Sequence, residues 1–157
     1  MAYEKTSKEA KQGTAGEARA LEIIQKKMIE RGSKVVVRRG MQNSSANGKL
    51  GDILFSRPDE APLVGIEVKA PSARYPDSIS ISRFEINNTR AKWLLASNDD
   101  PELGIWIQPM SVIIAFAEEK QGNRGPNDKY YTCRPPYEYR VSLDAMLDEV
   151  QKIFGEI

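Results

Sequence analysis

Apolar and polar positions recur with two different periods along this chain, one helical and one of strands, and each predicts an element. Leu21, Ile24 and Met28 fall at i, i+3 and i+7, one helical stripe, and Gly32 is placed to end that helix. Thr14-Ala-Gly-Glu17 has the spacing of a capping box, which predicts a helix start at Thr14 and a frayed polar lead-in over residues 1–13. Val35-Val-Val37 reads as a strand, and the small polar run from Gly40 to Gly48 as a loop. Asp52–Phe55 and Leu63–Lys69 read as two strands joined by the turn Arg57-Pro-Asp-Glu-Ala-Pro62, a hairpin by loop length.

Farther along, an alternating strand is expected around Ser78–Ser82. Ser82-Arg-Phe-Glu85 is a second capping box, with Ile81 and Ile86 at staple positions, opening a helix expected to run to about Ser97. Two strands are expected at Gly104–Gln108 and Val112–Ala117. Residues 118–129 contain no apolar side chain and read as a loop, within an insertion spanning 118–139. Ser142 caps a closing helix with the stripe Leu143, Met146, Leu147, Val150 and Phe154. Helices and strands interleaved in this way predict a single α/β domain over 1–157, a central mixed β-sheet flanked by helices.

Composition narrows the chemistry. Among 157 residues there is no histidine and one cysteine, Cys133. This excludes His-based triads and dyads, His-ligated zinc and intrachain disulfides. It leaves carboxylates, Lys, Arg, hydroxyls and hard metal ions. The polar N-terminus and the absence of a long apolar run lead us to expect a cytoplasmic protein with no membrane partner. Net charge is +1, yet residues 1–50 carry +6 and residues 51–157 carry −5. A basic first third fits a phosphate backbone as partner, and it also fits plain solvated charge.

One constellation carries chemistry. Asp52 opens the first hairpin strand, and Glu67 and Lys69 end the second. Alternation along a strand puts Glu67 and Lys69 on one face, and the hairpin brings Asp52 to the same end. Two acids and one ammonium in an apolar setting leave excess negative charge, which Mg²⁺ or Mn²⁺ would neutralise. Glu17 continues the helical stripe toward the sheet, and two readings of it stay open: third carboxylate or capping residue. Arg38, Arg39, Lys34 and Lys49 flank the site, and Lys5, Lys8 and Lys11 form a candidate basic arm. Trp93 and Trp106 read as core. Tyr130, Tyr131, Tyr137 and Tyr139 read as strand or interface packing before base stacking.

Leu-Gly51-Asp52 followed by Glu67-Val-Lys69 resembles the motif of the PD-(D/E)xK nuclease superfamily, and most closely the archaeal-type Holliday junction resolvases. The resemblance implies a restriction-endonuclease-like core and a Mg²⁺-dependent (or Mn²⁺-dependent) endonuclease that resolves four-way DNA junctions in recombination and repair. It implies Glu17, Asp52 and Glu67 as metal-site acids, Lys69 as a catalytic residue and Arg38 as a DNA contact. The family's loop serine corresponds to Ser44 or Ser45. Where the family often carries Arg directly after the helix Glu, this chain has Ala18 and then Arg19. Symmetric cleavage of a junction implies a homodimer, with Val112–Ala117 or the 84–97 segment supplying the apolar patch. The alternatives are a nuclease of the same superfamily acting on linear DNA and a non-catalytic nucleic-acid-binding module.

Overall fold

The computed structural model describes residues 7–40, 50–98, 100, 102 and 104–157, with side chains from residue 15 onward. Helix α1 (Ser7–Glu30) starts seven residues before Thr14. The lead-in is therefore helical from Ser7, because Lys-Glu-Ala-Lys-Gln is built of strong helix formers. Thr14 lies inside the helix rather than at its start. At the other end Gly32, at φ 68°, closes the helix. Its N–H reaches the Ile29 carbonyl at 2.9 Å, and the Ser33 N–H reaches that of Met28 at 3.1 Å.

Five strands form the central sheet: β1 (Val36–Arg39), β2 (Ile53–Ser56), β3 (Val64–Lys69), β5 (Trp93–Ala96) and β6 (Trp106–Pro109), in the order β1-β2-β3-β5-β6. Only β3 and β5 are parallel, and the other neighbours are antiparallel. The expected hairpin is present, with Ile53 opposite Ile66. The α/β architecture expected from the sequence, a mixed sheet flanked by helices, is the one observed.

Three expectations are corrected. The helix after Ser82 is short, α2 (Arg83–Asn88), and Trp93-Leu-Leu-Ala96 is a strand. All four of these side chains are buried because layers pack on both faces of the sheet here, Trp93 and Leu95 on one and Leu94 and Ala96 on the other. The resulting unbroken apolar run has no period-2 signature to distinguish it from helix. Residues 112–117 are not a strand: Met110–Phe116 forms helix α3, in which Met110 and Ile113 turn inward at i and i+3. Packing overrides the β-branched run. The 118–139 segment is not a loop. Within it β7 (Glu118–Gln121) pairs with β8 (Lys129–Cys133), which pairs with β4 (Ile79–Ser82) in a second, three-stranded sheet. β7 has no apolar side chain because it is an exposed edge held by backbone hydrogen bonds.

Alternation along the central strands divides the core in two. On one face Ile53, Phe55, Ile66, Val68, Trp93, Leu95 and Ile107 meet Ala20, Ile24 and Met28 of α1. Helix α4 (Leu143–Ile153) adds Met146, Leu147 and Val150 to this face. Arg31 ties the two helices together, reaching Asp148 at 2.7 Å and Asp144 at 2.9 Å. On the other face Leu94, Ala96 and Trp106 meet Ile113 of α3 and Ile79, Ile81 and Cys133 of the second sheet. Trp93 and Trp106 are core residues, as expected. Cys133 is buried, and burial pushes its thiol up to about 11, which keeps it unreactive.

Candidate active site

Asp52 is fixed where β2 begins. Gly51 before it adopts φ 130°, and a side chain there would run into the Ile66 backbone. The Asp52 N–H donates to the Ile66 carbonyl at 2.8 Å, and its own carbonyl accepts from Gly40 N–H at 2.7 Å. Its Oδ2 accepts from Val68 N–H at 2.8 Å. The carboxylate thus extends the ladder between β2 and β3 by one rung, in the place of a backbone carbonyl.

Glu67 stands on β3 with 7% exposure. Its carboxyl shares a hydrogen bond with that of Asp52. Burial, reinforced by the negative charge of Asp52 and only partly opposed by Lys69, pushes Glu67 up to about 8. Burial also raises Asp52, against the Val68 N–H, which favours its charged form. Both carboxyls are therefore biased toward their neutral forms, and Lys69 offsets the cost of burial only in part.

The Lys69 ammonium is paired, at close contact, with Glu85 in the first turn of α2. Glu85 was legible in the sequence only as half of a capping box. Ser82 does cap α2, accepting from Glu85 N–H at 3.0 Å, while the Glu85 carboxylate turns to Lys69 instead. Sixteen positions separate Lys69 from Glu85, and no local pattern links them.

Glu17 lies on the opposite side. With α1 covering the face of Ile66 and Val68, Glu67 and Lys69 point away from it, toward α2. Glu17 instead accepts from Arg39 Nε at 2.7 Å, and that bond raises the Arg39 guanidinium above its ordinary value. Of its two sequence readings, capping is removed by the earlier helix start. Its negative charge helps to raise Asp52. Asp52 is the hinge between a Glu17–Arg39 pair and a Glu67–Lys69–Glu85 cluster.

The basic candidates divide as well. Arg38 is exposed on β1, at the edge of the sheet. Arg19 donates from Nη1 to the carbonyls of Asn98 at 3.1 Å and Asp100 at 3.3 Å, tying α1 to the loop after β5. Lys34 is exposed. Ser44, Ser45, Lys49 and Lys5 lie outside the described residues, as do the side chains of Lys8 and Lys11. Tyr130, Tyr137 and Tyr139 are exposed, and Arg140 stacks on Tyr137 at 3.8 Å.

No protein-family model matches this sequence, and no curated protein does. Among solved structures, a nuclease from a fusselovirus is similar over 99% of this chain and 98% of its own, at 14% identity and a TM-score of 0.59. The likeness shows the fold. It runs the length of the molecule and includes the strands that carry the acidic pair.

Among the described residues no three acidic side chains gather as a metal-binding group. Two carboxylates still fit one hard divalent ion: Mg²⁺ is commonly held by one or two carboxylates, with water and phosphate oxygens completing its shell. The donor atoms of Asp52 and Glu67 are all oxygen, the ligand chemistry that such an ion takes.

Proposed function

We propose that this chain is a divalent-cation-dependent endodeoxyribonuclease that hydrolyses phosphodiester bonds, with four-way DNA junctions as its substrate. The observation that carries this reading is the meeting of Asp52 and Glu67 at one end of the β2–β3 hairpin, with Lys69 projecting from the same face. The fold shared with a viral nuclease supports it, as does the basic character of the first third.

Asp52 and Glu67 would hold the cation, which supplies polarisation of a phosphoryl oxygen and a more acidic water. The Val68 N–H holds the Asp52 carboxylate by Oδ2 and so fixes its orientation. Glu67, in its ionised form, would be the second of the two carboxylates available to such a cation. Lys69 offsets the negative charge that develops on the phosphate as the bond to the leaving oxygen lengthens. Arg38, exposed on the outermost strand, is placed to contact a neighbouring phosphate and fix the register of the DNA.

Incubating the protein with a four-way junction, the matching duplex and a single strand, in Mg²⁺, Mn²⁺ or EDTA, tests the reading. Cleavage should need the metal and should favour the junction. Asp52→Asn keeps an oxygen for the Val68 N–H but removes the charge. It should cut about 10³-fold more slowly while binding junctions normally. Cleavage in EDTA, or an unimpaired Asp52→Asn protein, overturns the proposal. Equal cutting of all three DNAs overturns the junction part alone. Two symmetric cuts call for a homodimer, so sedimentation should show a two-chain species at the concentrations that cleave.

A further inference from the structure

We propose that Glu85 is a positioning residue of this site, which acts by holding the Lys69 ammonium, and that it is the third acid on the face where the chemistry takes place. The inference rests on the nuclease reading and deepens it. Glu67 and Lys69 leave β3 on the face away from α1, and α2 is the helix that meets them there. Glu85 occupies the first turn of α2, anchored by the Ser82 hydroxyl at its N–H. Ser82 in turn ends β4, which is paired residue by residue with β8 from Ile79 opposite Cys133 to Ser82 opposite Tyr130. The second sheet therefore fixes the height of Glu85 above the central one.

The contact is built rather than incidental. Glu85 Oε2 is buried, and Lys69 supplies its countercharge. The Lys69 and Glu85 side chains are 21% and 33% exposed, so water competes weakly for either. A lysine stem has four rotatable bonds, and an ammonium with no partner on its own face would wander among rotamers. Paired with Glu85, it stays beside the Asp52–Glu67 carboxyls, which is where charge develops on a bound phosphate. Glu17 cannot do this work, because it is on the α1 side and is engaged by Arg39.

Two measurements on Glu85→Gln test the role. In the metal-free protein, limited reductive methylation read by peptide mass spectrometry reports how firmly Lys69 is held, with the exposed Lys152 as internal standard. Lys69 should be modified several-fold faster in Glu85→Gln than in wild type. In cleavage assays kcat should fall about tenfold with KM for the junction unchanged. Glu85→Asp, which keeps the charge on a shorter stem, should recover part of that loss, and its thermal midpoint checks that α2 is still in place. Unchanged Lys69 reactivity, or a wild-type kcat in Glu85→Gln, overturns the inference and leaves the nuclease reading intact. A wild-type protein that cuts no DNA in Mg²⁺ or Mn²⁺ overturns both.

Discussion

Glu67 sits on a strand whose other buried members are apolar or glycine, and its carboxyl titrates near 8 instead of the usual 4.5. Between those values the folded protein holds a proton that the unfolded chain releases. The stability tied to that proton is full below about pH 4.5 and is lost as pH rises through about 8. The urea midpoint of the wild type should therefore drop between about pH 5 and pH 8, and the drop should shrink in Glu67→Gln; an equal drop in both proteins would assign it elsewhere. A divalent cation held by Asp52 and Glu67, as proposed, would compete with the same proton. Adding Mg²⁺ should release protons in calorimetry and raise the midpoint more at pH 8 than at pH 6. Residue identity was the most legible level of this site. Asp52, Glu67 and Lys69 announce themselves as charges interrupting apolar runs, whereas Glu85 had an adequate local role as a cap residue and no visible reason for another.

At the scale of elements, the site hangs on two supports. The β2–β3 hairpin supplies Asp52, Glu67 and Lys69, and its register follows from a short turn and a strong apolar pattern. The β4–β8 pairing supplies Glu85 through α2, and its register depends on contacts between segments some fifty residues apart. Ile81 is 1% exposed at the centre of the second support. Ile81→Ala should cost about 2–5 kcal/mol by urea denaturation. Because α2 follows directly from β4, kcat should fall at temperatures where the variant is still folded, with junction affinity retained. The elements misread from sequence fail for related reasons. β5 is hidden on both faces and so has no alternation, α3 folds a β-branched run into a helix to bury Met110 and Ile113, and β7 is stabilised by a neighbour's backbone rather than by its own side chains.

Across the whole molecule, the sheet separates two jobs. One face carries α1 and α4 and the larger core, clamped by Arg31 to Asp144 and Asp148. The other carries the second sheet, α2 and α3, with Ile114 and Phe116 of α3 exposed. Among the described residues no helix is long and apolar enough to cross a membrane. Asp52 lies at the start of β2, within reach of the charges of Glu17, Glu67 and Lys69. Arg38 stands outside this cluster on the edge strand. Arg38→Ala should weaken junction binding and reduce the slope of log K against log salt by about one phosphate contact, without changing the preference among DNA sequences. An unchanged salt slope would remove Arg38 from the interface.

By itself the sequence determined the α/β class, the hairpin and the three charged residues at its end. Each of these depends on neighbours close along the chain: alternation along a strand, a short turn, and a charge that an apolar strand cannot tolerate alone. The tertiary structure decided the rest. It assigned Glu17 to Arg39 and Glu85 to Lys69, and made a second sheet from a segment with a strand that has no apolar residue. These outcomes follow from which surfaces meet when the sheet is covered on both faces, and that is a property of packed layers that no single stretch of residues carries.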